Sequence, residues 1–143
     1  MIEIYTDGAC SVTSGKGGWG VYIIDKSNTK GITEKNKLSG NSLDTTNNRM
    51  EMTAVIEALK YFKTKKKITI FSDSIYVIKG ITEWIDGWKA RNWKKVKNID
   101  LWKQIDELNQ LHTVKWQHVP AHSGVEGNEI ADKLAVSARL QLP

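Results

Sequence analysis

The stretch Ile2-Glu3-Ile4-Tyr5-Thr6-Asp7-Gly8-Ala9 decides how the rest of the chain is read. Ile2 and Ile4, with the β-favouring Tyr5 and Thr6, predict a strand that Gly8 is expected to end. Asp7 then stands at the far end of a segment that otherwise reads as buried. Aspartate is rarely buried without a partner, so the position is either a turn residue before Gly8 or a working carboxylate. Recurrence separates the two readings, because three later segments each bring one more acid to an equivalent place.

The first of these acids is Glu51. After a glycine-rich turn over residues 10–18, Trp19 to Asp25 predicts a second strand. The glycines do not lead into a helix, so a hairpin is favoured over a phosphate loop. Gly31 to Leu38 reads as a more polar edge strand whose lysines discourage further pairing. Ser39 to Thr46 reads as a loop, and Thr46-Asn47-Asn48 can cap the helix that follows. In that helix Val55, Ala58, Leu59 and Phe62 repeat at helical spacing, and Glu51 continues their inward stripe. Helix-dipole stabilisation accounts for an acid near a helix start, though not for one that faces inward.

Asp73 closes the next strand, Ile68 to Asp73. The lysines at 63 and 65–67 precede this strand and lie roughly 17 Å or more from Asp73 at a strand's rise per residue, which suits a solvated turn. From Ser74 a helical stripe of Ile81, Trp84, Ile85 and Trp88 is expected. Beyond it Lys89, Arg91, Lys94, Lys95 and Lys97 arrive with no acid among them, interleaved with Trp93. Aromatic faces among cations suit nucleic acid, where phosphate contacts supply most of the affinity. Trp84 and Trp88 also read, at least in part, as core. Ile99 to Leu111 predicts a helix with Trp102, Ile105, Leu108 and Leu111 inward. Thr113 to Val119 predicts a strand in which His118 is structural. The loop 121–127 leads into a last helix that starts at Gly127 or Asn128 and carries Asp132 early.

Composition sets bounds on these assignments. The chain has 143 residues, enough for one domain with a real core, and a formal charge of +5, which leans towards a polyanionic partner. Its single cysteine, Cys10, excludes a disulfide or a multi-cysteine zinc site. There is no signal-peptide pattern and no apolar run near the ~18 residues of a spanning helix, so the expectation is a soluble cytoplasmic protein.

The element order is a mixed α/β pattern, in which sites gather beyond the carboxyl ends of strands. Asp7 and Asp73 are expected there, with Glu51 and Asp132 reaching the same place from the first turns of two helices. Carboxylates so crowded must either hold protons or be neutralised by cations, and hard oxygen ligands without thiolate select magnesium or manganese. Two such ions suit phosphoryl chemistry.

With these residues in place, the chain resembles ribonuclease H type 1. The matching motifs run in order: Tyr5-Thr6-Asp7-Gly8-Ala9, Thr46 through Met52, Ser72-Asp73-Ser74, Trp84 through Trp93, His122-Ser123-Gly124, and Asn128 through Asp132. The resemblance implies an α/β, ribonuclease H-like fold over residues 1–143, a five-stranded mixed sheet with helices on both faces and the second strand antiparallel to its neighbours. It implies an endonuclease that hydrolyses the RNA strand of RNA–DNA hybrids with two Mg2+ ions, Mn2+ being a possible substitute, and leaves 3′-hydroxyl and 5′-phosphate ends. Asp7, Glu51, Asp73 and Asp132 would be the metal-binding catalytic acids, His122 a proton shuttle, and Glu129 a modulator of turnover. Asn47, Asn48 and Thr46 would meet the nucleic acid, and Trp84, Trp88, Lys89, Arg91, Trp93 and Lys94 would belong to a basic protrusion that grips the DNA strand. Members are usually monomers.

Three features depart from the bacterial pattern. The protrusion is short between Lys95 and Val96. Val12-Thr13-Ser14 replaces a Gly-Asn-Pro type turn, and Ile75 stands where a glutamine often reads the minor groove. Strand-transfer enzymes of the same fold would share only the acids. A non-catalytic hybrid-binding module would not need such repulsion. The Met1 directly before the first strand suggests a free-standing protein rather than a piece of a reverse transcriptase.

Overall fold

Five strands form one mixed sheet in the order β3-β2-β1-β4-β5, in a computed structural model that describes residues 1–27 and 31–143. The central strand β1 (Ile2–Cys10) pairs antiparallel with β2 (Gly17–Asp25) and parallel with β4 (Lys67–Ser72). On the far sides, β3 (Glu34–Ser42) pairs antiparallel with β2, and β5 (Thr113–His118) pairs parallel with β4.

Strand ends differ from the sequence expectation chiefly because each strand runs as far as its partner allows, and β3 begins at Glu34, opposite the end of β2 at Asp25, rather than at Gly31. β1 does not stop at Gly8, because its antiparallel ladder with β2 continues to Cys10↔Gly17. Its parallel ladder with β4 ends at Thr6↔Ser72, so Asp7 lies at a strand end on one side only. β3 likewise absorbs part of the expected loop and pairs to Gly17↔Ser42 along the whole of β2.

Alternation along the strands gives the sheet two packed faces. On one face Ile2, Ile4, Val21, Ile23, Ile68 and Ile70 are buried against helix α1 (Asn47–Lys60), which contributes Met52, Val55 and Leu59. Helix α4 (Ile99–Leu111) packs on α1 and buries Trp102 and Ile105. Leu111, expected inward, is 45% exposed. The chain turns there, and the next residue, His112, fills the inward place, its ring bridging Lys66 N–H and the Leu59 carbonyl.

The other face carries α5 (Glu126–Leu140), which crosses β1, β2 and β3. Its inner stripe is Ala131, Ala135 and Ala138, and β2 meets it with glycine. A Cβ on Gly20 would lie 2.3 Å from the Ala131 carbonyl oxygen, so only glycine lets the helix backbone come this close.

Residues 75–90 are helical but not uniform. A π turn, Gly80–Trp84, separates α2 (Ile75–Lys79) from α3 (Ile85–Ala90). The wider turn keeps Ile81 and Ile85 buried while Trp84, expected on the same stripe, swings out to 39% exposure. Gly80 is pressed against the Trp102 ring, 2.0 Å from where its Cβ would be. Among the described residues no helix is long and apolar enough to cross a membrane.

Gly20→Ala forces α5 off the sheet and is expected to lower stability by about 1–3 kcal/mol, the usual range for overpacking a tight contact. A urea denaturation midpoint measured by circular dichroism checks this.

Candidate active site

Helix caps and backbone contacts assemble the site. Thr46 caps α1 by accepting from Arg49 N–H at 3.2 Å. That fixes where the helix starts, and Glu51 follows in its second turn, one turn later than expected. The helix end sits directly on β1, since a Cβ on Gly8 would lie 2.4 Å from the Glu51 backbone nitrogen. The Gly8 N–H donates to Asp7 Oδ1 at 2.9 Å and to Glu51 Oε1 at 2.8 Å. One backbone donor thus ties two acids from different elements.

Asp73 lies just past β4, where Ser74 caps α2 by accepting from Val77 N–H. The buried Asn128, in the first turn of α5, donates to Asp73 Oδ2 at 3.2 Å. One oxygen each from Asp7, Glu51 and Asp73 lies within 4.8 Å of the others. Asp132, in the second turn of α5 rather than the first, is near enough to raise the Asp7 pKa but is not among the three acids whose oxygens converge.

Burial dominates the electrostatics. Asp7 is 4% exposed and Glu51 3%. The Asp7 pKa is pushed up to about 7, first by burial, with the contact from Glu51 and the Gly8 N–H opposing and the charge of Asp73 and the neighbouring Asp132 carboxyl adding to it. Glu51 lies well above the usual carboxylate range, again by burial first and then by contact with Asp7. Glu51 Oε2 is buried with no hydrogen-bond partner, and no ion pair neutralises the cluster among the described residues. Converging hard oxygens, one of them left unsatisfied, fit a divalent cation of the magnesium or manganese kind.

A carboxylate cluster at the carboxyl ends of two neighbouring parallel strands, built to take a hard cation, defines the class of site. The comparisons then give the family. The sequence pattern of the RNase H family matches residues 1–139. A ribonuclease H from Methylobacillus flagellatus is 51% identical over 140 residues, covering 94% of this chain and 89% of that one. The crystal structure of LC9-RNase H1, a type 1 RNase H with the type 2 active-site motif, superposes with a TM-score of 0.89 at 30% identity, over 99% of this chain and 73% of that one. LC11-RNase H1 in complex with an RNA/DNA hybrid superposes with a TM-score of 0.69 at 24% identity over 99% of this chain and 98% of that one, a likeness of fold. The chain belongs to the RNase H family and is a nuclease.

The remaining sequence candidates are spread around this centre. Asn47 and Asn48 are exposed at the start of α1. Glu129 is exposed in the first turn of α5, and His122 is exposed in the preceding turn with φ 53°. In the basic segment, Trp88 packs on Trp102 with ring centroids 5.1 Å apart. Trp93 is half-buried, with Lys103 Nζ 5.9 Å from its ring centroid. Lys89 is paired with Asp106 at 3.0 Å, while Arg91 and Lys94 are exposed.

Two parts of the site were not singled out from sequence. One is Asn128 as a partner of Asp73; an amide four residues before Asp132 on a helix face was the available signal. The other is the Arg49 fork, which bonds both oxygens of Asp100 at 3.1 and 2.7 Å and Asn98 Oδ1 at 3.1 Å. Asn98 in turn donates to the Tyr76 hydroxyl, as does Trp102 Nε1. No sequence spacing links 49, 76 and 98.

The raised Asp7 pKa fixes a sign. Between about pH 4 and 7 the folded metal-free protein binds a proton that the unfolded chain has released, so its stability falls as pH rises through this window. Asp7→Asn removes that loss. Melting without divalent cation is expected to show the variant gaining on the wild type above pH 7, by up to about 4 kcal/mol, with little gain at pH 4.

Proposed function

We propose that residues 1–143 form one catalytic domain that hydrolyses the RNA strand of RNA–DNA hybrids, with the acid cluster holding two magnesium ions. The observation that carries this reading is the convergence of Asp7, Glu51 and Asp73 within 4.8 Å, with Asp132 near Asp7, in a chain of the RNase H family. Asp7, Glu51, Asp73 and Asp132 would hold the ions, and manganese meets the same donor set. When bound, the ions supply a water ionised near neutral pH and positive charge beside the reacting phosphate.

The chain's own residues do the rest. The Gly8 N–H holds one oxygen each of Asp7 and Glu51, and Asn128 holds one of Asp73, which fixes the directions of their other oxygens. Burial strips Asp7 and Glu51 of competing water, so ligation and loss of their protons go together. Asn47 and Asn48 project from the exposed start of α1 towards the minor groove, where 2′-hydroxyls separate RNA from DNA, with Thr46 beside a phosphate. Trp84, Trp88, Lys89, Arg91, Trp93 and Lys94 form a protrusion on the DNA strand: Trp88 and Trp93 build its body, and the exposed Arg91 and Lys94 meet phosphates. His122 passes a proton to the leaving 3′-oxygen, so that 3′-hydroxyl and 5′-phosphate ends result, and Glu129 tunes its turnover. The protein acts as a monomer in the cytoplasm.

The test is cleavage of end-labelled RNA in RNA–DNA, RNA–RNA and DNA–DNA duplexes, each with magnesium and with chelator. The expected result is magnesium-dependent cutting of the hybrid's RNA strand alone. Cutting of DNA, or tight hybrid binding with no cutting, overturns the assignment. Asp7→Asn is expected to reduce the rate by roughly a thousandfold or more, which corresponds to about 4 kcal/mol of barrier. His122→Ala is expected to lower kcat by about a hundredfold with the melting temperature unchanged.

A further inference from the structure

The α1 face of the sheet changes character at its top rung. Register places Ile2 beside Ile68, Ile4 beside Ile70, and Thr6 beside Ser72. The first two pairs are apolar, as a buried face requires. The third carries two hydroxyls, and both residues are 0% exposed. Valine has the shape of threonine and would continue the apolar ladder, whereas a buried hydroxyl without a partner costs about 1–3 kcal/mol. Ser72 has a local use, since its Oγ accepts from Ser74 N–H at 3.1 Å and so shapes the turn that carries Asp73. Thr6 has none.

Among the described residues the buried side-chain oxygens lacking a hydrogen-bond partner are two, Thr6 Oγ1 and Glu51 Oε2. They share one corner of the molecule. Thr6 and Gly8 lie on the same face of β1, about 7 Å apart along the strand, and the Glu51 backbone sits directly on Gly8. The other Glu51 oxygen is already fixed by the Gly8 N–H at 2.8 Å. Reorientation of the free Glu51 oxygen towards β1, or a water held between them, would join the two groups.

We propose that Thr6 is a positioning residue for Glu51, its hydroxyl holding the carboxylate in the orientation in which it ligates a divalent cation. The hydroxyl is kept at a cost to the metal-free fold because the loaded site uses it. This rests on the metal reading above. Groups that orient a ligand from behind typically change metal affinity by roughly ten- to a hundredfold when removed.

The experiment is a calorimetric titration with Mg2+ of the wild type, Thr6→Val and Thr6→Ser, with melting of each in chelator. Thr6→Val is expected to weaken magnesium binding by about tenfold while melting at the same or a higher temperature without metal, and Thr6→Ser to keep wild-type affinity. Equal affinity in Thr6→Val and wild type overturns the proposal. So does Thr6→Ser binding as weakly as Thr6→Val, since packing alone would then explain the effect. If Thr6→Val does not fold, Thr6→Ala is compared with Thr6→Ser, and equal affinity in that pair overturns it too. A wild type that binds no magnesium overturns the metal reading itself, and this inference with it.

Discussion

A single backbone N–H, that of Gly8, is the constraint on which the rest of the structure depends. It bonds Asp7 from its own strand and Glu51 from a helix 43 residues away in sequence. Two carboxylates in contact inside a protein repel when both are charged, and here burial adds to that repulsion. The shared donor offsets part of it and sets the distance between them. It can do so only because residue 8 has no Cβ, which lets α1 press its first turns onto β1. Elsewhere the same device recurs: Gly18 and Gly20 admit α5, and Gly127 admits the Tyr5 ring. The approaches at Gly8 and Gly127 bring the first turns of α1 and α5 against β1, and those turns deliver Glu51 and Asn128, the partner of Asp73.

The molecule therefore stores unfavourable electrostatics in its acid cluster. The metal-free acid cluster opposes folding above neutral pH, and the apolar ladders beneath it on β1 and β4 supply the opposing stability. Bound cations would reverse the sign, because a group that destabilises the metal-free fold when charged becomes a ligand once an ion arrives. Affinity for the ion and stability of the protein are two readings of the same carboxylates.

Much of this was legible in the sequence. The alternation of Ile2 and Ile4 gave the central strand, the stripe behind Glu51 gave an inward-facing acid, and the order of elements gave the mixed sheet, which the structure has with helices on both faces. The misreadings share a cause. Strand ends at Gly8 and Leu38 were placed by local residue preference, whereas pairing with β2 extended both strands. Trp84 was placed on a regular helical stripe, and a π turn moved it outward. Leu111 matched the period of its helix but fell beyond the surface that the helix covers. Asn128 and the Arg49 fork were invisible because they act between segments that no periodicity connects.

The Arg49 fork has a mechanical meaning. Arg49 belongs to the helix start that carries Glu51, Asp100 and Asn98 open the helix after the basic segment, and Tyr76 follows Asp73 by three residues. The acid cluster and the basic segment are therefore bolted to one small frame, closed on itself by hydrogen bonds and by Trp102 at its hub. Such a frame works as a caliper. The separation between its two jaws is set by covalent lengths and rigid helix ends, not by the pliability of a loop. On the proposed reading, a duplex laid across it would be gauged by its width and helical form, and a helix of different geometry would meet one jaw while missing the other.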